Sequence, residues 1–216
     1  LNITDFLEKR LFFLSLFLII LIFHQLIFQK FFPNSEGLLG HDYEYFLPNF
    51  MFGKIWFKNN FLSVPWFTPS FCCGIPFFAD PETMYYSINQ FIFLILDPVL
   101  SLKTMFFLHA LAAYVGMYFL SSRCFKFSKY NSLLCASLFL FNGFFMYRAI
   151  PGHVGHLSYV FIPIYCYFLI NSAENQLKNK KIIYLILSAI IFANFFHSGS
   201  GSIILIISAS IFFLLL

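Results

Sequence analysis

Two carboxylates, Asp42 and Glu44, stand in the run Gly40-His41-Asp42-Tyr43-Glu44-Tyr45, just after a long apolar stretch. A carboxylate at a membrane surface can take a proton from an acceptor hydroxyl as a general base, and a pair of them can hold a divalent metal ion. Residues two apart on a helix point to different faces, so the two are expected to have different jobs. A plainer reading makes Asp42 a helix cap and leaves Glu44 in solvent. A second set is cationic or basic: Arg148, His153, His156 and His197. The Arg donor fork suits phosphate oxygens. His153 and His156 are three apart and share a helix face, a spacing that can also contribute to a metal site. The plainer reading of this set is interfacial polar residues hydrogen-bonded to neighbouring loops.

The elements that must position these groups are set by composition. The chain is 60% hydrophobic and 10% charged, with 35 Phe among 216 residues. Soluble domains carry about 25% charged residues. The chain is therefore expected to be an all-α polytopic membrane protein, with the lipid bilayer as its first partner. A net charge of +4 implies no nucleic-acid partner. The five cysteines show no metal-ligand spacing, and adjacent Cys72-Cys73 could pair only as a strained ring. The adjacent pair reads as two small apolar residues.

About 20 apolar residues are needed to cross a bilayer as a helix. Spans are expected at residues 11–28, 104–120, 131–146, 156–170 and 182–196, with a sixth beginning near Ser202. The apolar piece 91–96 is too short to cross and ends at Asp97-Pro98. Lys9-Arg10 resembles a signal-peptide flank, but no small-residue cleavage site follows, so the first span is expected to be retained. The chain begins with Leu1 and ends inside an apolar run, which reads as the N-terminal part of a longer protein. Residues 1–216 are taken as one transmembrane domain.

Alternating these spans gathers eight of the thirteen Lys and Arg residues in three short segments on one side: Lys9, Arg10, Arg123, Lys126, Lys129, Lys178, Lys180 and Lys181. The positive-inside rule makes that side cytoplasmic and puts the N-terminus there. The long 29–103 loop then faces out, with the turns holding Arg148, His153 and His197. Within that loop, residues 48–59 read as an amphipathic interfacial helix with Lys54 and Lys58 on one face. Pro65, Pro69, Pro76 and Pro81 break the rest into turns. Asp80, before a proline, reads as turn chemistry, with Glu82 nearby on the same side. His24 and His109 read as helix-packing hydrogen bonders, and Gly143 as a point of close helix approach.

Four stretches, in order, resemble the YfhO-type bacterial membrane proteins, within the wider GT-C fold of polytopic glycosyltransferases. The first is Gly40-His41-Asp42-Tyr43-Glu44-Tyr45-Phe46-Leu47-Pro48, similar to an acidic first-loop motif. The second is Trp66-Phe67-Thr68-Pro69 with Gly74-Ile75-Pro76 through Asp80-Pro81-Glu82-Thr83 and Tyr85-Tyr86. The third is Phe141-Asn142-Gly143-Phe144-Phe145 with Gly152-His153 and His156-Leu157, and the fourth is Phe196-His197-Ser198-Gly199. The resemblance implies a GT-C-like fold in the bacterial cytoplasmic membrane. It implies inverting transfer of a sugar from a polyprenyl-phosphate donor to an acceptor on the outer face. Carried over, Asp42 is the base and Glu44 the second acidic position. His41 departs from the pattern, and six spans are fewer than such proteins usually have. Two other readings compete: a transporter or flippase of lipid-linked sugars, and a non-catalytic membrane assembly protein. A transporter would need polar groups and broken helices near the midplane, whereas the polar groups here cluster at span ends.

Overall fold

In the computed structural model, residues 3–31, 37–69, 73–174, 177–199 and 201–215 are described. Cys72, and with it the Cys72-Cys73 pair, lies outside the described residues. The structure is 77% helical. Among the described residues, strands are reduced to one two-residue antiparallel pair, β1 (Phe67–Thr68) and β2 (Ile75–Pro76). An all-α membrane protein is thus what the chain forms.

Helix α1 runs Ile3–Phe28 and continues as a 3-10 turn to Phe31. Helices α2 (Tyr43–Asn60) and α3 (Ile88–Ile95) follow, then α4 (Pro98–Phe119), which closes in a π turn through Cys124. Next come α5 (Lys129–Leu140), α6 (Gly143–Ala149), a 3-10 helix (Val154–Phe161), α7 (Ile162–Glu174), α8 (Lys178–Phe196) and α9 (Gly201–Leu215). Among the described residues, five segments are long and apolar enough to cross a membrane: Leu11–Phe31, Pro98–Cys124, Lys129–Ala149, Val154–Glu174 and Lys178–Phe196. The sixth expected span falls on α9, of which 15 residues are described.

Several boundaries move for local reasons. Asp97 does not merely end the short apolar piece. Its side chain accepts from Leu100 N at 3.0 Å and caps α4, with Pro98 in the first turn. The second span therefore starts six residues earlier than hydropathy places it, and Lys103 lies within it. The third span is broken. α5 stops at Leu140, and Asn142 starts α6 by accepting from Phe145 N at 2.9 Å. Asn142 Oδ1 also accepts from Tyr159 OH at 2.9 Å, while its amide donates to Phe139 O. These bonds satisfy the backbone that the break frees, which a bilayer demands.

α4 is the centre of the bundle. It packs on α1, α3, α5, α7 and the 3-10 helix. Its buried face includes Ala110, Ala113 and Gly116. Small residues let helices approach closely where the bilayer removes the hydrophobic drive for association. A Cβ at Gly116 would lie 2.9 Å from Ile164 N, so this glycine marks the tight α4–α7 approach. The corresponding expectation for Gly143 is corrected: a Cβ there would meet nothing within 4 Å. His24 and His109 are buried as helix-packing residues, His24 beside Phe106 and Phe145, and His109 with Nδ1 2.8 Å from Met105 O.

α2 is longer than the expected 48–59. It buries Tyr43, Phe46, Asn49, Phe50 and Gly53, one stripe spaced three and four apart. The stripe faces α3 through stacked Phe50 and Phe93, whose centroids are 4.4 Å apart. Gln90 Nε2 donates to Phe50 O at 3.1 Å, and Lys54 Nζ donates to Leu96 O at 2.7 Å just past the end of α3. Lys54 therefore supports a helix C-terminus while Lys58 is exposed. The bilayer segments alternate, so the 31–98 connection and the 149–154 and 196–201 turns share one end of the bundle. The basic 123–129 and 174–181 connections share the other.

Candidate functional site

The start of α2 is pinned to the turn between α6 and the 3-10 helix. Asp42 N donates to Pro151 O at 3.0 Å, and Tyr43 OH donates to Ala149 O at 2.7 Å. Two glycines permit this approach. A Cβ at Gly40 would sit 2.3 Å from Ile150 O, and one at Gly152 would sit 2.7 Å from Tyr43 N. Gly152 also has φ of +101°, a backbone state that side chains resist. Tyr43 is fully enclosed, and burial pushes its hydroxyl well above the usual range, so it stays a donor. Tyr43→Phe should cost about 1–3 kcal/mol by orphaning a buried carbonyl. A detergent melt reads it, and an unchanged midpoint would show that the bond does not hold the turn.

Within this clamp Asp42 is at the head of α2, yet its side chain makes no capping bond. It turns aside instead. Asp42 Oδ2 lies 2.8 Å from His153 Nε2, and Oδ1 lies 2.8 Å from His41 Nε2. His153 Nδ1 lies 2.8 Å from Arg148 Nη1. Arginine can only donate, so Nδ1 must accept and the ring proton is assigned to Nε2. The result is a directed chain, with Arg148 donating to His153 and His153 donating to Asp42. Among the described residues, His153 is the only hydrogen-bonding partner of Arg148, whose Nε is buried and unmatched. The guanidinium also lies over Phe144 at 5.1 Å and Tyr147 at 5.4 Å.

These groups open on a cavity of about 320 Å³ lined by Asp42, Tyr45, Glu82, Arg148, His153 and His156. Three of the expected basic residues therefore converge with Asp42: Arg148, His153 and His156. The His153 and His156 rings are 6.0 Å apart. Glu44 does not join them. It is exposed and borders a separate hollow with Gly37, Leu39 and Pro48. The expected division of the acidic pair by helix face is what the backbone produces. The two carboxylates border different cavities. No group of three His, Cys, Asp or Glu among the described residues is arranged to hold a metal. His197 lines a neighbouring cavity of about 260 Å³ with Asp80, Thr83, Tyr85 and Tyr86. Its ring meets Tyr86 edge-on at 5.6 Å, and burial lowers its pKa.

Tyr45 was not singled out by sequence, although it sits three residues after Asp42 and so on the same face. Its hydroxyl donates to Asp80 Oδ2 at 2.8 Å. Burial, then the Asp80 carboxylate, push its pKa up to about 12. Asp80 is the turn residue expected: Oδ1 accepts from Glu82 N at 2.9 Å and caps the short 3-10 turn Pro81–Thr83. That turn presents Glu82 to the cavity. The floor is closed by Gly155, where a Cβ would meet Ser198 O and Gly199 O at 2.9 Å, and by the Ser198–Ser158 hydroxyl bond of 3.0 Å.

The chain matches no family model, no curated protein and no solved structure. The fold and its apolar helices define a multi-pass membrane protein. The finer reading rests on the cavity.

Proposed function

We propose that this chain is a membrane glycosyltransferase that moves a sugar from a polyprenyl-phosphate donor to an acceptor hydroxyl. The observation that carries the reading is the Arg148–His153–Asp42 chain at the mouth of a cavity at one end of the bundle. Asp42 Oδ1 and Oδ2 each receive one bond and keep lone pairs for a further donor. An acceptor hydroxyl placed there would give its proton to Asp42 as its oxygen attacks the anomeric carbon. The bond from that carbon to the lipid phosphate would break on the opposite face, with inversion. Arg148, satisfied at one nitrogen, would take the departing phosphate oxygens. His153 holds Asp42 oriented through the 2.8 Å contact, and His156 adds a donor to the same wall. Glu44 and His197 have no part in this step. In this reading the protein lies in the bacterial cytoplasmic membrane with the cavity on the outer face, an orientation that the basic connections favour by the positive-inside rule.

The test is transfer of labelled sugar from a polyprenyl-phosphate donor in membranes containing the full chain. Arg148→Gln should raise KM for the donor by about tenfold or more, the worth of a charge-assisted bond. Glu44→Gln should leave both constants within about twofold. A chain with no transfer above empty membranes, given a panel of donors, sinks the proposal.

One observation favours a second reading, a transporter or flippase of lipid-linked sugars. The span Lys129–Ala149 is broken at Phe141–Asn142, and discontinuous helices are common at transport sites. Translocation of a fluorescent lipid-linked sugar across proteoliposomes, without hydrolysis or transfer, separates the two.

A further inference from the structure

A second cavity, of about 480 Å³, lies between α1 and α4, away from the Asp42 site. Its inner part is apolar, walled by Leu18, Leu21 and Ile22 of α1 and Phe107 of α4. Its other end is polar, with Gln25 and Gln29 of α1 and Lys103 of α4. The two helices run antiparallel here, so the polar residues of both fall toward the end that carries the Asp42 site. Lys103 is five residues into α4, about 7–8 Å below its start at 1.5 Å per residue. Its side chain is long enough to bring the ammonium to headgroup level. Among the described residues Lys103 has no carboxylate partner, and it is half-exposed. α1 packs lightly, with 11% of its span buried. Leu18, Ile22 and Leu26 are 46%, 55% and 72% exposed.

We propose that this groove is a binding site for an anionic glycerophospholipid. One acyl chain lies along Leu18, Leu21, Ile22 and Phe107. The headgroup phosphate is held by Lys103, with Gln25 and Gln29 donating beside it. Charge complementarity selects this occupant. An ammonium held at headgroup level beside an apolar groove attracts a lipid phosphate at the same depth. A zwitterionic lipid carries its own cation next to the phosphate and gains less from Lys103. The assignment does not depend on the glycosyltransferase reading, and its test uses binding alone.

The test is native mass spectrometry of the full chain in neutral detergent, titrated with phosphatidylglycerol or phosphatidylcholine. Phosphatidylglycerol should bind at least about fivefold more tightly, the worth of one basic residue near the membrane surface. Lys103→Gln should remove that preference and Lys103→Arg should keep it. Ile22→Trp, which fills the groove, should abolish retention while Lys103 is intact. Equal binding of both lipids, or a preference that survives Lys103→Gln, overturns the proposal. So does a polyprenyl phosphate that displaces phosphatidylglycerol at a tenth of its concentration, which would assign the groove to the sugar donor. A dimer cross-linked through Ile22→Cys would assign it to a second copy of the chain.

Discussion

Asp42→Asn should lower sugar transfer by about 10²–10⁴-fold, the usual contribution of a positioned general base. The amide keeps the shape of the carboxylate. Its oxygen can still accept from His153 Nε2, because that nitrogen carries the proton while Nδ1 accepts from Arg148. His41, whose side chain is 80% exposed, can turn away from the new amide donor. The backbone bond from Asp42 N to Pro151 O is untouched. The variant should therefore fold and insert as the parent does, with stability changed by no more than about 1 kcal/mol, as for partly exposed ion pairs. The loss should appear in kcat, with donor KM nearly constant, because the base acts on the acceptor. Transfer within tenfold of the parent would remove Asp42 from the chemistry and leave it as the clasp that ties α2 to the turn.

Gly40→Ala should be the most damaging single-methyl addition in the molecule. The new Cβ would fall 2.3 Å from Ile150 O and 2.4 Å from Pro151 Cα, both backbone atoms that cannot rotate aside. The turn must then leave α2, taking with it the Asp42–Pro151 and Tyr43–Ala149 bonds. Overpacking of this kind costs about 1–3 kcal/mol. For a chain of this size that is a fall of roughly 3–10 °C in the melting midpoint. Transfer should be lost as well, since His153 rides on the displaced turn. Gly152→Ala should behave alike, because its φ of +101° adds strain to a 2.7 Å clash with Tyr43 N. Gly143→Ala is the control. It begins α6 with open space around it and should be neutral or slightly stabilising. Scanning fluorimetry in detergent compares the three, and equal midpoints for Gly40→Ala and Gly143→Ala would refute the clamp.

The two glycines also show where reading from residues alone stops. Neither Gly40 nor Gly152 looks unusual in a motif that already contains Asp42 and His153. Their necessity arises from the approach of two backbones far apart in the chain. The same holds for Asn142. As one polar residue in an apolar run it left the span 131–146 continuous by hydropathy. Its bonds to Phe145 N and Tyr159 OH, and its amide contact with Phe139 O, are what end α5 and restart the helix. Asp97 reads from the sequence as the end of the short apolar piece, and the 3.0 Å bond from Leu100 N makes it the cap of α4.

Hydropathy by itself determined that the chain crosses a membrane several times, because a bilayer tests each segment independently for length and polarity. It also determined that Asp42, Arg148, His153 and His197 share one end of the bundle, since alternation of spans leaves no other arrangement. Helix periodicity separated Asp42 from Glu44, because residues two apart cannot share a face. Only the tertiary structure decided which residues at that end meet. It joined Asp42 to His153 and Arg148, brought in Tyr45 and Glu82, and left Glu44 and His197 outside. That choice depends on short-range contacts, a 2.8 Å hydrogen bond or a missing Cβ, made by segments that the sequence separates and only packing around α4 brings together.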